Sequence, residues 1–270
     1  MSALPAARRR PLVSGNWKMH HDHIEALHAV RDLGLRMTAE DVAQVDVSVH
    51  PPFTDIRTVQ TLVEGESIPV LLGAQHCNDH DRGAYTGEVS PQMLARLGVR
   101  YVVVGHSERR QHFGMTDELV ATTLRAVLRH GMIPILCVGE TEEERAAGHT
   151  EPHLSAQLDA ALHGLDSSRV AELVVAYEPI WAIGTGNAAT AVDAEDACCF
   201  VREKVRELCG AEAAGSLRVQ YGGSVTAENA AELMAEPDVD GLLVGGASLE
   251  AAAFLEIIRS SRPLARRKNS

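Results

Sequence analysis

Eight short apolar runs rich in β-branched residues recur along the chain, each separated from the next by a segment with helical patterning. They are Leu12-Val13, Val45 to Val49, Val70 to Leu72, Tyr101 to Val104, Ile133 to Val138, Leu173 to Ala176, Leu217 to Tyr221 and Gly241 to Val244. Hydrophobicity within them is nearly continuous instead of alternating, which suits strands covered on both faces, as in a parallel sheet. One intervening segment carries the full helical code. Thr116 can cap it, Asp117 and Glu118 suit the positive end of its dipole, Val120, Leu124, Val127 and Leu128 form one stripe, and Gly131 follows as a stop. Further helices are expected from Thr226 through Leu233 and Met234, and from Ser248 into Ile257 and Ile258. Eight strand–helix alternations in 270 residues predict an α/β fold, a closed (β/α)8 barrel in a single domain. A doubly wound open sheet is the competitor, but no glycine fingerprint of a dinucleotide site follows the first strand.

No linker divides the chain. Residues 1–10, Ala-rich with Arg8 to Arg10, and residues 261–270, with Arg266, Arg267 and Lys268, are expected as solvated tails around a catalytic domain over 11–260. Aromatics are only 4% of the chain, so Val, Leu, Ile and Ala must fill most of the core. No apolar run approaches a membrane span and no signal-peptide core is present, which predicts a cytoplasmic protein without membrane contact. Five scattered cysteines, two of them adjacent at Cys198 and Cys199, do not resemble a disulfide framework and fit a reducing compartment. The net charge of −12 argues against nucleic acid and requires any anionic substrate to be drawn by a local field.

In such barrels, reactive residues gather where strands end and the following loops begin. The first strand leads into Asn16-Trp17-Lys18-Met19-His20, the fourth into Gly105-His106-Ser107-Glu108-Arg109-Arg110, and the sixth into Glu178-Pro179 and on to Gly184-Thr185-Gly186. The seventh leads into Gly222-Gly223-Ser224 and the eighth into Gly245-Gly246. One rim thus carries a cation, an imidazole, a carboxylate and glycine-bearing loops. Glu178 is the candidate base for moving a carbon-bound proton, and Pro179 restricts it to extended backbone angles at the strand's end. His106, ahead of a helix opening at Ser107-Glu108-Arg109, can act as a neutral imidazole that donates to a carbonyl oxygen as charge develops. Lys18 supplies the local positive field that the acidic chain otherwise lacks, suited to an anionic group such as a phosphate. Backbone N–H groups near Gly184, Ser224, Gly245 and Gly246 are candidates to hold the phosphate, with Ser248 opening a helix aimed at it.

These segments, above all Asn16 to Met19, Val104 to Arg110 and Tyr177 to Gly186, closely resemble those of triosephosphate isomerases, and the likeness runs from about Pro11 to Ser260. The resemblance implies a TIM barrel that interconverts dihydroxyacetone phosphate and D-glyceraldehyde 3-phosphate in glycolysis and gluconeogenesis, with no metal or other cofactor. It implies that Asn16 helps position the substrate and that Glu108 is a carboxylate needed near Lys18, with Ser107 among the supporting residues. It also implies a lid over Pro179 to Thr185, held shut by Tyr221 and Ser224. The implied assembly is a homodimer, in which the loop ending Gly83-Ala84-Tyr85-Thr86-Gly87-Glu88 carries Thr86 to the partner subunit's Asn16 and Lys18 region.

Two histidine tracts contain metal-ligand residue types. In His20-His21-Asp22-His23, Asp22 reads better as a helix cap with Glu25 completing a capping box, while His76-Cys77-Asn78-Asp79-His80-Asp81 falls in the implied interface loop. Cys137, at the end of the fifth strand, reads as buried packing. The rival readings are another phosphosugar barrel, or a catalytically silent phosphate-binding barrel with a regulatory role. The second would be expected to have lost one of Lys18, His106 or Glu178, and all three are present.

Overall fold

The structure is a computed structural model and describes residues 9–183 and 189–263. Eight parallel strands close into one barrel in sequence order. They are β1 (Leu12–Asn16), β2 (Asp46–His50), β3 (Leu71–Ala74), β4 (Tyr101–Val104), β5 (Ile133–Val138), β6 (Val174–Tyr177), β7 (Arg218–Tyr221) and β8 (Gly241–Val244), and β1 closes the ring by pairing with β8. All eight expected runs are strands. β1 extends further than its apolar residues announce, because Ser14 and Gly15 are needed inside the fold. A side chain at Gly15 would come within 3.0 Å of Ser248 Cβ, so this strand packs directly on the turn that follows β8.

The barrel has an apolar interior on one side, where Leu12, Tyr101, Val103, Ile135, Val174 and Leu243 pack together. The other side is a buried polar strip. Ser48 Oγ donates to Ser14 Oγ (2.9 Å) and lies 3.1 Å from His50 Nε2, while Gln220 Nε2 donates to the Leu12 carbonyl and to Ser14 Oγ, both at 2.9 Å. His50 Nδ1 lies 3.1 Å from the Ala74 carbonyl, and its ring occupies the space that any side chain at Gly73 would need.

The helix Asp117–Arg129 is capped by Thr116, whose hydroxyl accepts from Leu119 N, and Asp22 caps the helix His23–Arg36 in a capping box with Glu25. Three expectations need correction. The helix from Thr226 shortens to Ala230–Leu233, because Asn229 Oδ1 accepts from Thr226 N and its Nδ2 donates to the Ser224 carbonyl, holding the preceding residues in a turn. Ser248 closes a 3-10 turn over Gly246–Ser248, and the α-helix begins only at Ala251. Arg9 and Arg10 are likewise not free in solvent: Arg9 Nε donates to Asp240 (2.7 Å) and Arg10 Nη1 to the Ala43 carbonyl (2.8 Å). Ser261 is buried, and Arg262 pairs with Asp41, so the described ends are fastened to the barrel.

His50 links this interior to acid stability. Complete burial pulls its pKa from 6.5 down to about 4. Above pH ~6.5 the ring is neutral in both folded and unfolded chains and contributes no pH dependence. Below that the unfolded chain takes up a proton that the folded one refuses, so stability is lost between pH ~6.5 and ~4, by up to roughly 3 kcal/mol. His50→Gln should flatten the fall in thermal midpoint over this window relative to the parent chain, as followed by circular dichroism. Equal slopes would refute the assignment.

Candidate active site

The C-terminal ends of the strands surround a cavity of about 460 Å³. Its wall brings together Asn16, Lys18, His106, Glu108, Glu178, Ser224, Gly245 and Gly246, which are distant in sequence and adjacent only because the barrel closes. Of the other expected site residues, Ser107 and Tyr221 are buried just behind this wall and Thr86 is exposed on its loop, away from it. Gly184 and Thr185, the last two residues of the expected lid, lie outside the described residues.

Glu178 follows β6 and is only 2% exposed. Its backbone passes so near β5 that a side chain on Gly139 would begin 1.8 Å from the Glu178 carbonyl oxygen, and its Cγ lies 3.1 Å from where one on Gly222 would begin. Two glycines on the flanking strand ends therefore make its place. Oε2 accepts from the Ser107 backbone N–H (2.9 Å), and Oε1 lies 2.9 Å from His106 Nε2. Burial alone would raise the Glu178 pKa, but the adjacent imidazole and the Ser107 amide outweigh it and hold the carboxyl below its ordinary value. The group is therefore ionised at neutral pH.

His106 occupies the N-cap position of the helix Ser107–Phe113, and its Nδ1 accepts from the Glu108 backbone N–H (3.2 Å). That contact places the lone pair on Nδ1 and the proton on Nε2, facing the cavity. Gly105 makes this turn with φ of 77°, where any side chain would also meet Val120. Burial lowers the His106 pKa, yet the Glu178 carboxylate beside it more than compensates and raises it in this arrangement. The Glu108 amide opposes full protonation, since an imidazolium has no lone pair to offer it.

Lys18 has a φ of 55°, sparsely populated for a residue with a side chain. Three contacts hold it: its N–H donates to Asn16 Oδ1 (3.1 Å), its carbonyl accepts from Gln75 Nε2 (2.7 Å), and its ammonium donates to Glu108 Oε1 (2.7 Å). Gln75 also donates to the His50 carbonyl (2.9 Å) and so braces the loop against β2. Gly245 lies beside the Lys18 stem, its missing side chain leaving Cε 3.6 Å away. The ammonium thus stands at the turn Gly245–Gly246, the region expected to take a phosphate.

Two contributors were not anticipated from the chain. Gln75 follows β3, and Glu140 follows β5 and is fully buried, accepting from Tyr177 Oη (3.1 Å) and Trp181 Nε1 (2.9 Å). Arg145 covers the Trp181 ring at 4.2 Å, so the residues just after Glu178 are anchored from the β5 side. The rim rule applied at β3 and β5 as well points to both. Cys137 is buried next to Glu178; burial first, and that charge second, push its thiol well up, and it packs as a neutral group. The Tyr221 hydroxyl is buried against Gly223, 2.1 Å from where a side chain there would begin.

Among the described residues, no group of three or more His, Cys, Asp or Glu side chains is arranged to hold a metal ion. His80 pairs with Asp79 at 2.7 Å, while Asp81 binds His130 at 2.7 Å and Arg129 at 3.0 Å, which fastens the second histidine tract to the helix Asp117–Arg129. No helix of the described residues is long and apolar enough to cross a membrane.

The family model described as triosephosphate isomerase matches residues 11–261. The chain is 52% identical over 252 residues to the triosephosphate isomerase of Cutibacterium acnes, covering 93% of this chain and 97% of that protein. It is 52% identical over 249 residues to the enzyme of that name from Saccharopolyspora erythraea, covering 92% and 95% of the two chains. Against that from Corynebacterium diphtheriae it is 51% identical over 249 residues, covering 92% and 96%. With a match across nearly its whole length and the rim residues gathered at one cavity, the chain belongs to the triosephosphate isomerase family.

Proposed function

We propose that this chain interconverts dihydroxyacetone phosphate and D-glyceraldehyde 3-phosphate by proton transfer through an enediolate, as a step of glycolysis and gluconeogenesis. The observation that carries this reading is the convergence of Glu178, His106 and Lys18 on one cavity beside the Gly245–Gly246 turn. Glu178, ionised and freed from the Ser107 amide, takes the proton from the substrate carbon and returns it to the neighbouring one. The Nε2 proton of His106 stabilises the oxygen on which charge accumulates, and Lys18 serves both that charge and the phosphate. Once Glu178 turns toward the substrate, the influence that raises the His106 pKa weakens, which favours the neutral ring as donor. Ser224 and the amides of Gly245 and Gly246, with Gly184, complete the phosphate contacts, and Asn16 positions the substrate. Glu108 and Ser107 hold Lys18 and Glu178 in place, and Tyr221 with Ser224 secures the closed lid.

The functional unit is a homodimer. A groove beside the active site is lined by Met19, Phe53, His76 and Phe113, and Met19 and Phe113 are 93% and 66% exposed. Apolar side chains this exposed suit burial against a partner, and the loop carrying Thr86 is the segment that would fill the groove of the other subunit. We infer a cytoplasmic location, supported by five cysteines that are all unpaired.

Purified protein should interconvert the two triose phosphates without added metal, at a rate that a chelator leaves unchanged. Glu178→Ala should lower kcat by about a hundredfold to ten-thousandfold, the range for losing a general base. Near-parental activity in that variant would place the base elsewhere. Phe113→Asp should reduce the solution mass measured by light scattering from two chains to one; an unchanged mass would show that this groove is not the interface.

A further inference from the structure

The first histidine tract has a role that helix capping by Asp22 leaves unexplained. His21, immediately before that cap, has a φ of 67°, so the short loop from Trp17 to Asp22 contains two non-glycine residues in the left-handed region, His21 and Lys18. Such conformations persist only where surrounding contacts hold them. For Lys18 those contacts are Asn16, Gln75 and Glu108. For His21 they point elsewhere. Its ring meets the buried Trp17 ring edge-on (centroids 5.0 Å apart, planes at 87°), and Nε2 donates to the Leu249 carbonyl at 3.3 Å.

Leu249 ends the 3-10 turn Gly246–Ser248, and its N–H donates to the Gly246 carbonyl (3.1 Å). Ser248 Oγ donates to the Gly245 carbonyl (2.7 Å), which ties that turn to the two glycines beside Lys18. The same turn rests on β1 through the close approach of Ser248 to Gly15. Contacts of two kinds therefore tie β1 and the Lys18 loop to the post-β8 turn. One is backbone packing at Gly15, and the other is a side-chain hydrogen bond from His21 spanning 228 residues of sequence.

We propose that His21 is a positioning residue for phosphate binding, setting the distance between the Lys18 ammonium and the Gly245–Gly246 amides through its Nε2–H bond to the Leu249 carbonyl. This rests on the reading of that turn as the phosphate site. The phosphate is held jointly by a cation from one loop and amides from another, so its affinity depends on their separation. The proton-transfer groups Glu178 and His106 follow β6 and β4 and lie outside this link. Lys18 stays held by Asn16, Gln75 and Glu108 when the bond is lost, so the post-β8 turn relaxes away from it and phosphate binding weakens far more than the chemical step.

The test compares His21→Met, of similar size but without the donor, with His21→Gln, whose amide nitrogen reaches the position of Nε2. His21→Met should raise the KM for D-glyceraldehyde 3-phosphate and the inhibition constant of inorganic phosphate together, by about three- to tenfold, the range for one lost hydrogen bond. Its kcat should stay within about twofold, and His21→Gln should restore both constants to within about twofold of the parent. An unchanged phosphate constant in His21→Met, a loss in His21→Gln as large as in His21→Met, or a fall in kcat at constant KM would each overturn the proposal. If His21→Met does not fold, His21→Phe keeps the edge contact with Trp17, lacks the donor, and should give the same two shifts. A parent chain without isomerase activity would instead sink the proposed function, and phosphate binding by calorimetry on parent and variants would still decide the role of His21.

Discussion

A carboxylate only 2% exposed is tolerated in this barrel because an amide and an imidazole stand against it. Burying an unpaired charge is costly enough that the group would otherwise take up a proton and cease to be a base at neutral pH. Much of the site follows from that constraint. The Ser107 amide must point at Glu178, which places a helix opening at the end of β4. His106 must sit at that opening, where the Glu108 amide orients its ring. Gly139 and Gly222 must lack side chains, because one would strike the Glu178 backbone and the other its Cγ.

The positive side of the site is built differently. In a chain of net charge −12, attraction for a phosphorylated substrate has to be local. Lys18 brings a local positive charge to the cavity from a backbone conformation the chain would not adopt unaided, held by Asn16, Gln75 and Glu108 from three other positions on the rim. The pairing with Glu108 keeps the ammonium in place while leaving it partly open to solvent and ligand. The rigidity beneath comes from β1, which touches β2, β8 and the post-β8 turn, and from the polar strip of Ser14, Ser48, His50 and Gln220 that locks its inner face.

What could be read from the chain depended on how local the cause was. The helix Asp117–Arg129 was legible because cap, dipole charges and apolar stripe all lie within a few residues of one another. The segment after Thr226 misled because its apolar pattern is helical while Asn229 bonds back to Thr226 and Ser224 and keeps a turn open. The end of β1 at Asn16 was legible from the rim motif, but why its apolar run stops at Val13 was not, since Ser14 meets Gln220 and Ser48 and Gly15 packs on Ser248. Gln75 and Glu140 carried no apolar or glycine signature. Their roles exist only through contacts with Lys18, Tyr177 and Trp181.

The sequence by itself determined the eightfold strand–helix repeat and the residue types at the strand ends, since hydrophobic period and turn chemistry act over a few residues. From those, the barrel, its reactive rim and the family resemblance were all legible. Tertiary structure alone decided that Glu178 rests on the Ser107 amide beside His106, that Lys18 is held in a left-handed conformation, and that His21 reaches the turn after β8. These depend on distances between residues 71, 57 and 228 positions apart in the chain, and only closure of the barrel brings such pairs within reach of a hydrogen bond.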